Sequence, residues 1–376
     1  MTIAVSGLKE RLVYKKNRVL DLLERLSRSK REIGLIGGGI YAKTLCGALP
    51  RFGIEPGFIV LDEKYMTPDK QEICGLPVIT PAECVCRYPE AFLIIAYNYT
   101  YDKEWTIIRN ESLKFTPDNE VITLGAVFLD ELDWMPYEYI LGNITGFEKT
   151  YDMLEDALSR RIMTEYLNAK ISGDASRLRM FVTDAENDYD LGLMFGGMRE
   201  GAVVECGAFD GKSALQFDHY LGGSRRIYAL EPLSESYDKL CRSVNGHKFV
   251  IPVKKGTADK EITAYISGTG GTASVSSENG DGEKIEITTI DTLLGDENAA
   301  VIAMDIEGSE AASLKGAENV ICRDRPILAI RIYHKYSDLV ELPAYIASLP
   351  VGRDYRYYLR VNNTGIGTYD VTFYAV

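Results

Sequence analysis

The stretch Val203-Val-Glu-Cys-Gly-Ala-Phe-Asp-Gly211 joins an apolar run to an acid and a glycine turn. The segment that follows, Lys212-Ser-Ala-Leu-Gln-Phe217, has the pattern of a helix, and a second apolar run from Ile227 ends in Glu231. In a doubly wound α/β sheet, such a glycine loop and such a carboxylate lie side by side at the carboxyl edge of adjacent strands. This edge is where such sheets bind nucleoside-type ligands.

The glycine loop favours a nucleoside without phosphates. Its pattern is E-x-G-x-x-D-G and not the dinucleotide pattern G-x-G-x-x-G, and it carries an extra acid. Glycines let the backbone approach a ligand, and a carboxylate such as Glu231 can accept hydrogen bonds from a ribose diol. We therefore expect S-adenosylmethionine as the cofactor.

The composition is that of a globular protein with more than one core. The 376 residues exceed one ordinary domain, and 46% are hydrophobic and 26% charged. The net charge of −13 argues against nucleic acid or an anionic membrane as the main partner. We expect a small-molecule or glycan acceptor instead, and a homo-oligomer remains open.

Cysteine usage and hydropathy predict a cytoplasmic protein. The seven cysteines include no C-x-x-C pair, which is typical of a reduced, intracellular chain. The first residues turn charged at Lys9 and lack the apolar core of a signal peptide. The longest apolar stretches, such as 92–97, are strand-sized, so no membrane insertion is expected.

Strands alternate with helices in two separate units, which predicts two parallel sheets. Residues 1–145 are predicted to form a Rossmann-like domain of the nucleotide- or sugar-nucleotide-binding type, and residues 146–376 a second domain. Residues 267–283, rich in Gly, Ser and Thr, are predicted to be a connecting loop or a lid. The predicted strands are 33–36, 58–61, 76–79 and 92–96, then 202–206, 226–230, 248–253, 262–266, 284–290, 300–304 and 326–333, with a closing hairpin of 355–359 and 371–376.

A second glycine loop supports a rival function. Gly37-Gly-Gly-Ile-Tyr-Ala42 fits G-x-G-x-x-A, and Asp62 follows 20 residues after Ala42. This is the dinucleotide fingerprint, so an NAD(P)-dependent oxidoreductase is the alternative enzyme. No catalytic set suited to hydride transfer accompanies it. The pairs Tyr99–Lys103 and Tyr166–Lys170 match Tyr-x-x-x-Lys, but 24 tyrosines make a chance match expected. A non-catalytic scaffold is the third alternative.

Five motifs in order resemble the FkbM family of S-adenosylmethionine-dependent methyltransferases. They are ECGAFDG at 205–211, YALEP at 228–232, TTIDTLL at 288–294, MDIEGSEAASLKGAENVI at 304–321 and IYHKYSDLVELP at 332–343. The resemblance runs from about Asp156 to the last residue, and Arg331 and the pair Val361-Asn362 depart from it. The segment before it resembles a Rossmann-like domain often fused to such enzymes.

The resemblance implies an α/β fold: a C-terminal class I methyltransferase doubly wound sheet with a terminal antiparallel hairpin, plus a smaller N-terminal Rossmann-like α/β domain. It also implies O-methylation of a hydroxyl on a sugar, a glycan precursor or a related natural product. Glu231 would take the ribose hydroxyls of the cofactor. Other cofactor residues would be Glu205, Gly207, Ala208, Asp210 and Gly211 around the methionine moiety and ribose, and Thr257, Ala258 and Asp259 near the adenine.

Three residues are candidates for catalysis: Asp305, Glu307 and His334. Methyl transfer to oxygen needs the hydroxyl held in line with the sulfonium carbon and a base for its proton. The ordinary pKa of histidine suits His334 to this role, although it could instead hold the loop 305–310 by hydrogen bonding. Asp305 and Glu307 could alternatively hold a divalent metal that acidifies the hydroxyl. We expect Glu310 to begin the following helix.

Overall fold

The structure is a computed structural model. It describes residues 7–67, 71–97, 104–124, 134–173, 178–184, 187–267, 274–276, 282–362 and 371–376.

The first half of the chain builds a six-stranded sheet in the order β3-β4-β2-β1-β5-β6, parallel except for β3. Its strands are β1 (Ile33–Ile36), β2 (Phe58–Val60), β3 (Glu72–Ile73), β4 (Leu76–Ile79), β5 (Phe92–Ile95) and β6 (Glu120–Ile122). The four predicted strands are present. The prediction omitted β3 and β6, which have two and three residues and therefore too little apolar pattern to recognise.

The helices of this half cover both faces of the sheet with two apolar clusters. They are α2 (Arg18–Ser27), α3 (Ile40–Ala48), α4 (Pro81–Arg87) and α5 (Glu104–Ser112), whereas α1 (Leu8–Arg11) precedes them in the chain and packs elsewhere. Local chemistry fixes where they begin. The Asn17 side chain accepts hydrogen bonds from the backbone N–H groups of Val19 and Leu20 and caps α2. Thr80 and Glu83 form a capping box at the start of α4.

The second half builds an eight-stranded sheet in the order β10-β9-β8-β15-β16-β18-β17-β7. Only β18 is antiparallel to its neighbours, so β17 and β18 form the predicted closing hairpin. The prediction missed β7, which has three residues. The strands are β7 (Val182–Asp184), β8 (Ala202–Cys206), β9 (Ile227–Leu230), β10 (Val250–Val253), β15 (Ala299–Met304), β16 (Ile327–Arg331), β17 (Tyr357–Asn362) and β18 (Val371–Ala375).

A separate four-stranded sheet has the order β11-β14-β12-β13. Its strands are β11 (Gly256–Thr257), β12 (Ile262–Ser267), β13 (Ser274–Ser276) and β14 (Glu283–Thr288). The predicted strands 262–266 and 284–290 therefore leave the main sheet, and they pair antiparallel with each other. Part of the predicted loop 267–283 is strand β13, and residues 268–273 and 277–281, including any lid, lie outside the described residues.

Helices of the second half pack on both faces of the large sheet, because alternate strand residues belong to two different apolar clusters. The helices are α6 (Tyr137–Gly142), α7 (Ile144–Met153), α8 (Ala157–Ser172), α9 (Leu191–Phe195), α10 (Lys212–Tyr220), α11 (Ser234–Ser243), α12 (Ile290–Leu294), α13 (Glu310–Lys315), α14 (Glu318–Asp324) and α15 (Asp338–Ser348). In the part of the chain that the structure describes, no helix has the length and apolar character needed to cross a membrane.

Helix α1 belongs by its contacts to the second half. Leu8 and Leu12 lie in the apolar cluster formed mainly by residues of the large sheet and its helices. The Asn168 side chain of α8 accepts a hydrogen bond from the Val13 N–H at 2.9 Å and donates one to the Arg11 carbonyl at 3.1 Å. The domain boundary near residue 145 stays a prediction. Helix α1 lies before this boundary in the sequence but packs with the residues that follow it.

Each sheet has one point where the order of its strands reverses. In the large sheet this point lies between β8 and β15, and in the first sheet between β1 and β5. Ligands of open α/β sheets bind at the carboxyl ends of the strands at this position. The two glycine loops of the sequence follow β8 and β1, so each loop lies at a reversal point.

Candidate active site at the carboxyl edge of the large sheet

The glycine turn after β8 packs closely between the ends of β9 and β15. The N–H groups of Gly207 and Ala208 both donate to the Leu230 carbonyl at the end of β9, at 3.0 and 2.9 Å. Gly207 has a φ of +87°, and a Cβ atom there would lie 1.9 Å from the Asp305 carbonyl oxygen after β15. Glycine is therefore required at 207 by conformation and by space.

Glu205 presents a buried carboxylate beside this turn. Its side chain accepts a hydrogen bond from the Ser213 hydroxyl through Oε1, and Oε2 has no hydrogen-bond partner among the described residues. Burial raises the pKa of Glu205 to about 8; the Ser213 hydroxyl opposes this rise, and the nearby Asp188 adds to it. A cationic ligand group would satisfy Oε2 and restore the charge.

Glu231 connects two loops at the end of β9. Its Oε2 accepts the Phe209 N–H at 3.1 Å, and its Oε1 accepts the Leu233 N–H at 3.0 Å. Burial raises its pKa, against the effect of these two backbone donors. Each carboxylate oxygen keeps a second lone pair, so a ribose diol could still bind. Phe209, which sequence reasoning did not single out, donates this backbone hydrogen bond; it has a φ of +47° and an exposed side chain.

The remaining predicted cofactor residues differ in exposure. Asp210 accepts the Lys212 N–H at 3.1 Å and so supports the start of α10. Thr257 is buried, and its hydroxyl lies 2.7 Å from the Ser313 hydroxyl, which donates to the Thr257 carbonyl. Its side chain thus attaches β11 to α13. Ala258 is partly buried and Asp259 is exposed. Their contact with an adenine stays a prediction.

Asp305 follows β15 directly, and its N–H donates to the Cys206 carbonyl. Its Oδ1 accepts the Tyr333 hydroxyl at 3.2 Å and lies 3.3 Å from Nε2 of His334. Its Oδ2 lies 3.5 Å from Nε of Arg331. Burial alone would raise the pKa of Asp305, but His334 and Arg331 outweigh burial and lower it.

Carboxylates face both nitrogens of His334. Nε2 lies 3.3 Å from Asp305 and 3.5 Å from Glu307, and Nδ1 lies 3.0 Å from Oε1 of Glu310. Burial opposes the charged imidazole, yet Asp305 and Glu310 outweigh it and raise the pKa of His334 to about 10. The His334 imidazole is therefore protonated at neutral pH. Its side chain is 7% exposed, against 32% for Asp305 and 47% for Glu307.

Sequence reasoning missed two residues of this cluster. Glu310, expected only to begin α13, does begin it, but its buried carboxylate also faces His334 and accepts the Ile306 N–H at 3.0 Å. Asp338 begins α15 and is buried, and burial raises its pKa to about 6. The spacing D-x-E-G-S-E was visible in the sequence, but its approach to the segment 334–338 depends on tertiary packing.

Arg331, noted as a departure from the family pattern, is buried behind Asp305. It donates to the Thr372 hydroxyl at 2.9 Å and to the Asp188 carbonyl at 2.7 Å, and it stacks on Tyr189. These contacts hold the segment before α9 against β16 and β18, near the catalytic candidates.

The glycine loop after β1 lies at the reversal point of the first sheet, as expected, but the acid that follows it is paired with a lysine. Asp62, the acid expected to bind a ribose, forms an ion pair with Lys114, whose Nζ lies 2.9 and 3.0 Å from its two oxygens. Tyr166 and Lys170 are buried within α8, and residues 99 to 103 lie outside the described residues.

The glycine turn, the acids at the strand ends and the strand order together are those of the class I α/β methyltransferase fold. Residues 205–357 match the family model of the methyltransferase FkbM domain. This part of the chain is therefore similar to the FkbM methyltransferases, as its motifs predicted. The family and the fold support S-adenosylmethionine-dependent methyl transfer in general.

A solved structure has the same fold over nearly the whole chain, and other solved structures match about half of it. Methyltransferase FkbM from Methylobacillus flagellatus KT is 21% identical and matches with a TM-score of 0.73, covering 98% of this chain and 97% of that one. An rRNA methylase from Streptococcus thermophilus is 15% identical, with a TM-score of 0.31, and covers 47% of this chain and 86% of that one. Fibrillarin from Aeropyrum pernix with bound S-adenosyl-L-methionine is 12% identical, with a TM-score of 0.31, and covers 47% and 66%. No curated protein is significantly similar in sequence.

Proposed function

We propose that this chain transfers the methyl group of S-adenosylmethionine to a hydroxyl of a sugar, a glycan precursor or a related natural product. One observation carries the cofactor assignment: the buried Glu205 has an unpartnered oxygen beside the glycine turn at the reversal point of the sheet. The cofactor carries an ammonium group that would ion-pair with this oxygen. The methyltransferase family match supports the same assignment.

Each predicted cofactor residue would then contact a different part of S-adenosylmethionine. Gly207, Ala208 and Gly211 let the backbone approach the methionine moiety and the ribose, and Glu231 accepts the ribose hydroxyls through its remaining lone pairs. The adenine would lie toward Ala258 and Asp259, at the end of β11.

We place the acceptor hydroxyl against Asp305 and Glu307, with His334 behind them. These two carboxylates are the solvent-accessible members of the cluster, whereas His334 is almost fully buried. Both ring nitrogens of His334 face carboxylates, so the ring is placed to orient Asp305. A carboxylate near the hydroxyl can accept its proton during methyl transfer. The sugar or natural-product class of the acceptor is supported by the family resemblance alone.

The deciding experiment is calorimetric titration of the purified chain with S-adenosylhomocysteine and, in parallel, with NAD. We expect micromolar binding of S-adenosylhomocysteine and none of NAD. Glu205→Gln should weaken this binding by about tenfold or more, because a hydrogen bond to a charged group is lost. The exposed Glu200→Gln, which has the same charge change, serves as the control and should bind normally.

The other outcomes are equally informative. Binding of NAD alone would overturn the proposal and make the first glycine loop the active centre of an oxidoreductase. Binding of neither ligand would favour a scaffold protein. Once an acceptor is found with labelled S-adenosylmethionine, His334→Ala should reduce turnover and leave S-adenosylhomocysteine affinity nearly unchanged. An equal loss of affinity would show a structural role for His334.

A further inference from the structure

We propose that Glu310, His334 and Asp338 bind one divalent cation, for which Mn²⁺ is a suitable probe. One donor atom of each residue lies within 4.8 Å of the donor atoms of the other two. The three residues come from separate elements: the start of α13, the loop after β16 and the start of α15. This set differs from the pair Asp305 and Glu307 considered from the sequence.

The ligand atoms are buried and incompletely satisfied. Glu310 is 1% exposed and Asp338 is 4% exposed. Within the described residues, Oε2 of Glu310 has no hydrogen-bond partner, and neither ring nitrogen of His334 is aligned for a hydrogen bond. Buried polar atoms without partners are costly, so they indicate a missing ligand. A cation among these atoms would satisfy the carboxylate and the imidazole together.

The surroundings also provide the outer contacts that metal ligands usually have. Nε2 of His334 lies 3.3 Å from Oδ1 of Asp305, which gives a carboxylate–histidine arrangement with Nδ1 left for the ion. The Ile306 N–H fixes Oε1 of Glu310, and the Lys335 N–H fixes Oδ2 of Asp338 at 2.7 Å. The distance of 3.0 Å between Nδ1 and Oε1 lets both groups contact one ion.

The local charge favours a cation. Asp305 and Glu307 add two further carboxylates around His334, whereas Lys335 donates to the Gly308 carbonyl and Arg331 lies beside Asp305. Two carboxylates and one imidazole form a mixed set of oxygen and nitrogen donors, which Mn²⁺ accepts.

A bound ion would connect the loop after β15 to the start of α15. That loop carries Asp305 and Glu307, so the ion would restrict the motion of these two carboxylates. The site is defined by protein atoms alone and does not depend on the proposed methyl transfer.

The test is titration of chelator-treated full-length protein with Mn²⁺, with free Mn²⁺ followed by electron paramagnetic resonance. We expect one ion per chain with a Kd of about 1–100 μM. Glu310→Gln and Asp338→Asn should each weaken binding by about 10-fold or more. The control is Glu341→Gln, an exposed residue of the same helix as Asp338, and it should leave the Kd unchanged.

Two results would overturn the proposal. The first is the absence of saturable Mn²⁺ binding by the unaltered protein up to about 1 mM. The second is equal binding by the unaltered protein and by Asp338→Asn. Circular dichroism checks the fold of each variant, and if Glu310→Gln does not fold, the unaltered protein and Asp338→Asn still decide. Titration with S-adenosylhomocysteine before and after chelation tests the proposed function separately. Binding of S-adenosylhomocysteine without binding of Mn²⁺ would contradict only the metal site, and the reverse result would contradict only the proposed function.

Discussion

Glu205 shows how a single residue can link ligand binding to protonation. Its carboxyl group is fully buried, lies near Asp188 and Asp210, and has a pKa raised to about 8 by burial first and by these acids second, against the opposing Ser213 hydrogen bond. Without a ligand, the group is mostly neutral at pH 7. A cationic group of the cofactor would favour the ionised form, so binding should release a proton near neutral pH.

The unfolding free energy of the ligand-free protein should fall as the pH rises from about 5 to 8, in part because of Glu205. Its pKa is about 8 in the folded protein and near the ordinary glutamate value of 4.5 in the unfolded protein. In this window the folded state holds a proton that the unfolded state has released, so stability is lost as the pH rises. The contribution is roughly 3–4 kcal/mol over this pH range.

Urea unfolding of the unaltered protein and of Glu205→Gln across this pH range measures the effect. The glutamine variant should show a smaller fall, since its side chain does not titrate. Equal slopes for the two proteins would contradict the assignment of a raised pKa to Glu205.

The site residues were predictable from sequence where they follow an apolar strand directly. Glu205, Glu231 and Asp305 all lie at strand ends, and their convergence on one edge follows from the parallel pattern. The contact of Glu310 with His334 joins residues 24 positions apart on different elements. No local pattern specifies such a pair, so it required the structure.

At the scale of elements, the two reversal points are built alike. At each, a glycine with positive φ follows the first strand and packs on a carbonyl oxygen that follows the neighbouring strand. A Cβ at Gly37 would lie 2.8 Å from the Ala96 oxygen, and one at Gly207 would lie 1.9 Å from the Asp305 oxygen. The close approach of the two chains leaves no room for a side chain at either point.

Gly207→Ala should destabilise the protein by about 3 kcal/mol or more, because it adds a backbone clash to the strain of positive φ. Gly222→Ala is the matched control: Gly222 also has positive φ, and a Cβ there meets nothing within 4 Å. It should cost about 1 kcal/mol. Chemical denaturation compares the two variants, and equal losses would show that the clash at 207 relaxes.

Most strands were predictable because they are apolar runs bounded by turns. The strands that were not predicted are β3, β6, β7, β11 and β13, which have two or three residues and are too short to show a pattern. The strand β14 has an alternating burial pattern, typical of a sheet with one solvated face, yet nothing local shows which strands it pairs with. Pairing partners distant in sequence are set by the whole fold.

At the scale of the molecule, the large sheet and its helices include a segment from before the first sheet. Leu8 and Leu12 of this segment are buried among residues of the second half. The Asn168 side chain forms hydrogen bonds with the Arg11 carbonyl and the Val13 N–H, on either side of Leu12. The stability of the methyltransferase core should therefore depend on residues that lie about 200 positions before its glycine turn.

Leu8→Ala should destabilise the large-sheet core by about 2–5 kcal/mol, as expected for a fully buried leucine. Val13→Ala is the control, since Val13 is 58% exposed and its backbone bond to Asn168 is unaffected by the change. It should alter stability by about 0.5 kcal/mol at most. Thermal unfolding of both variants measures this. If Leu8→Ala behaves like Val13→Ala, helix α1 does not belong to the second core.

The placement of α1 also has a mechanical consequence. The backbone passes from the second core to the first sheet after residue 12, and it is back in the second core at Met135. The chain therefore connects the two halves twice, once after residue 12 and once before Met135. Since rotation about one connection alone would strain the other, we expect the two connections to restrict the rotation of one half relative to the other.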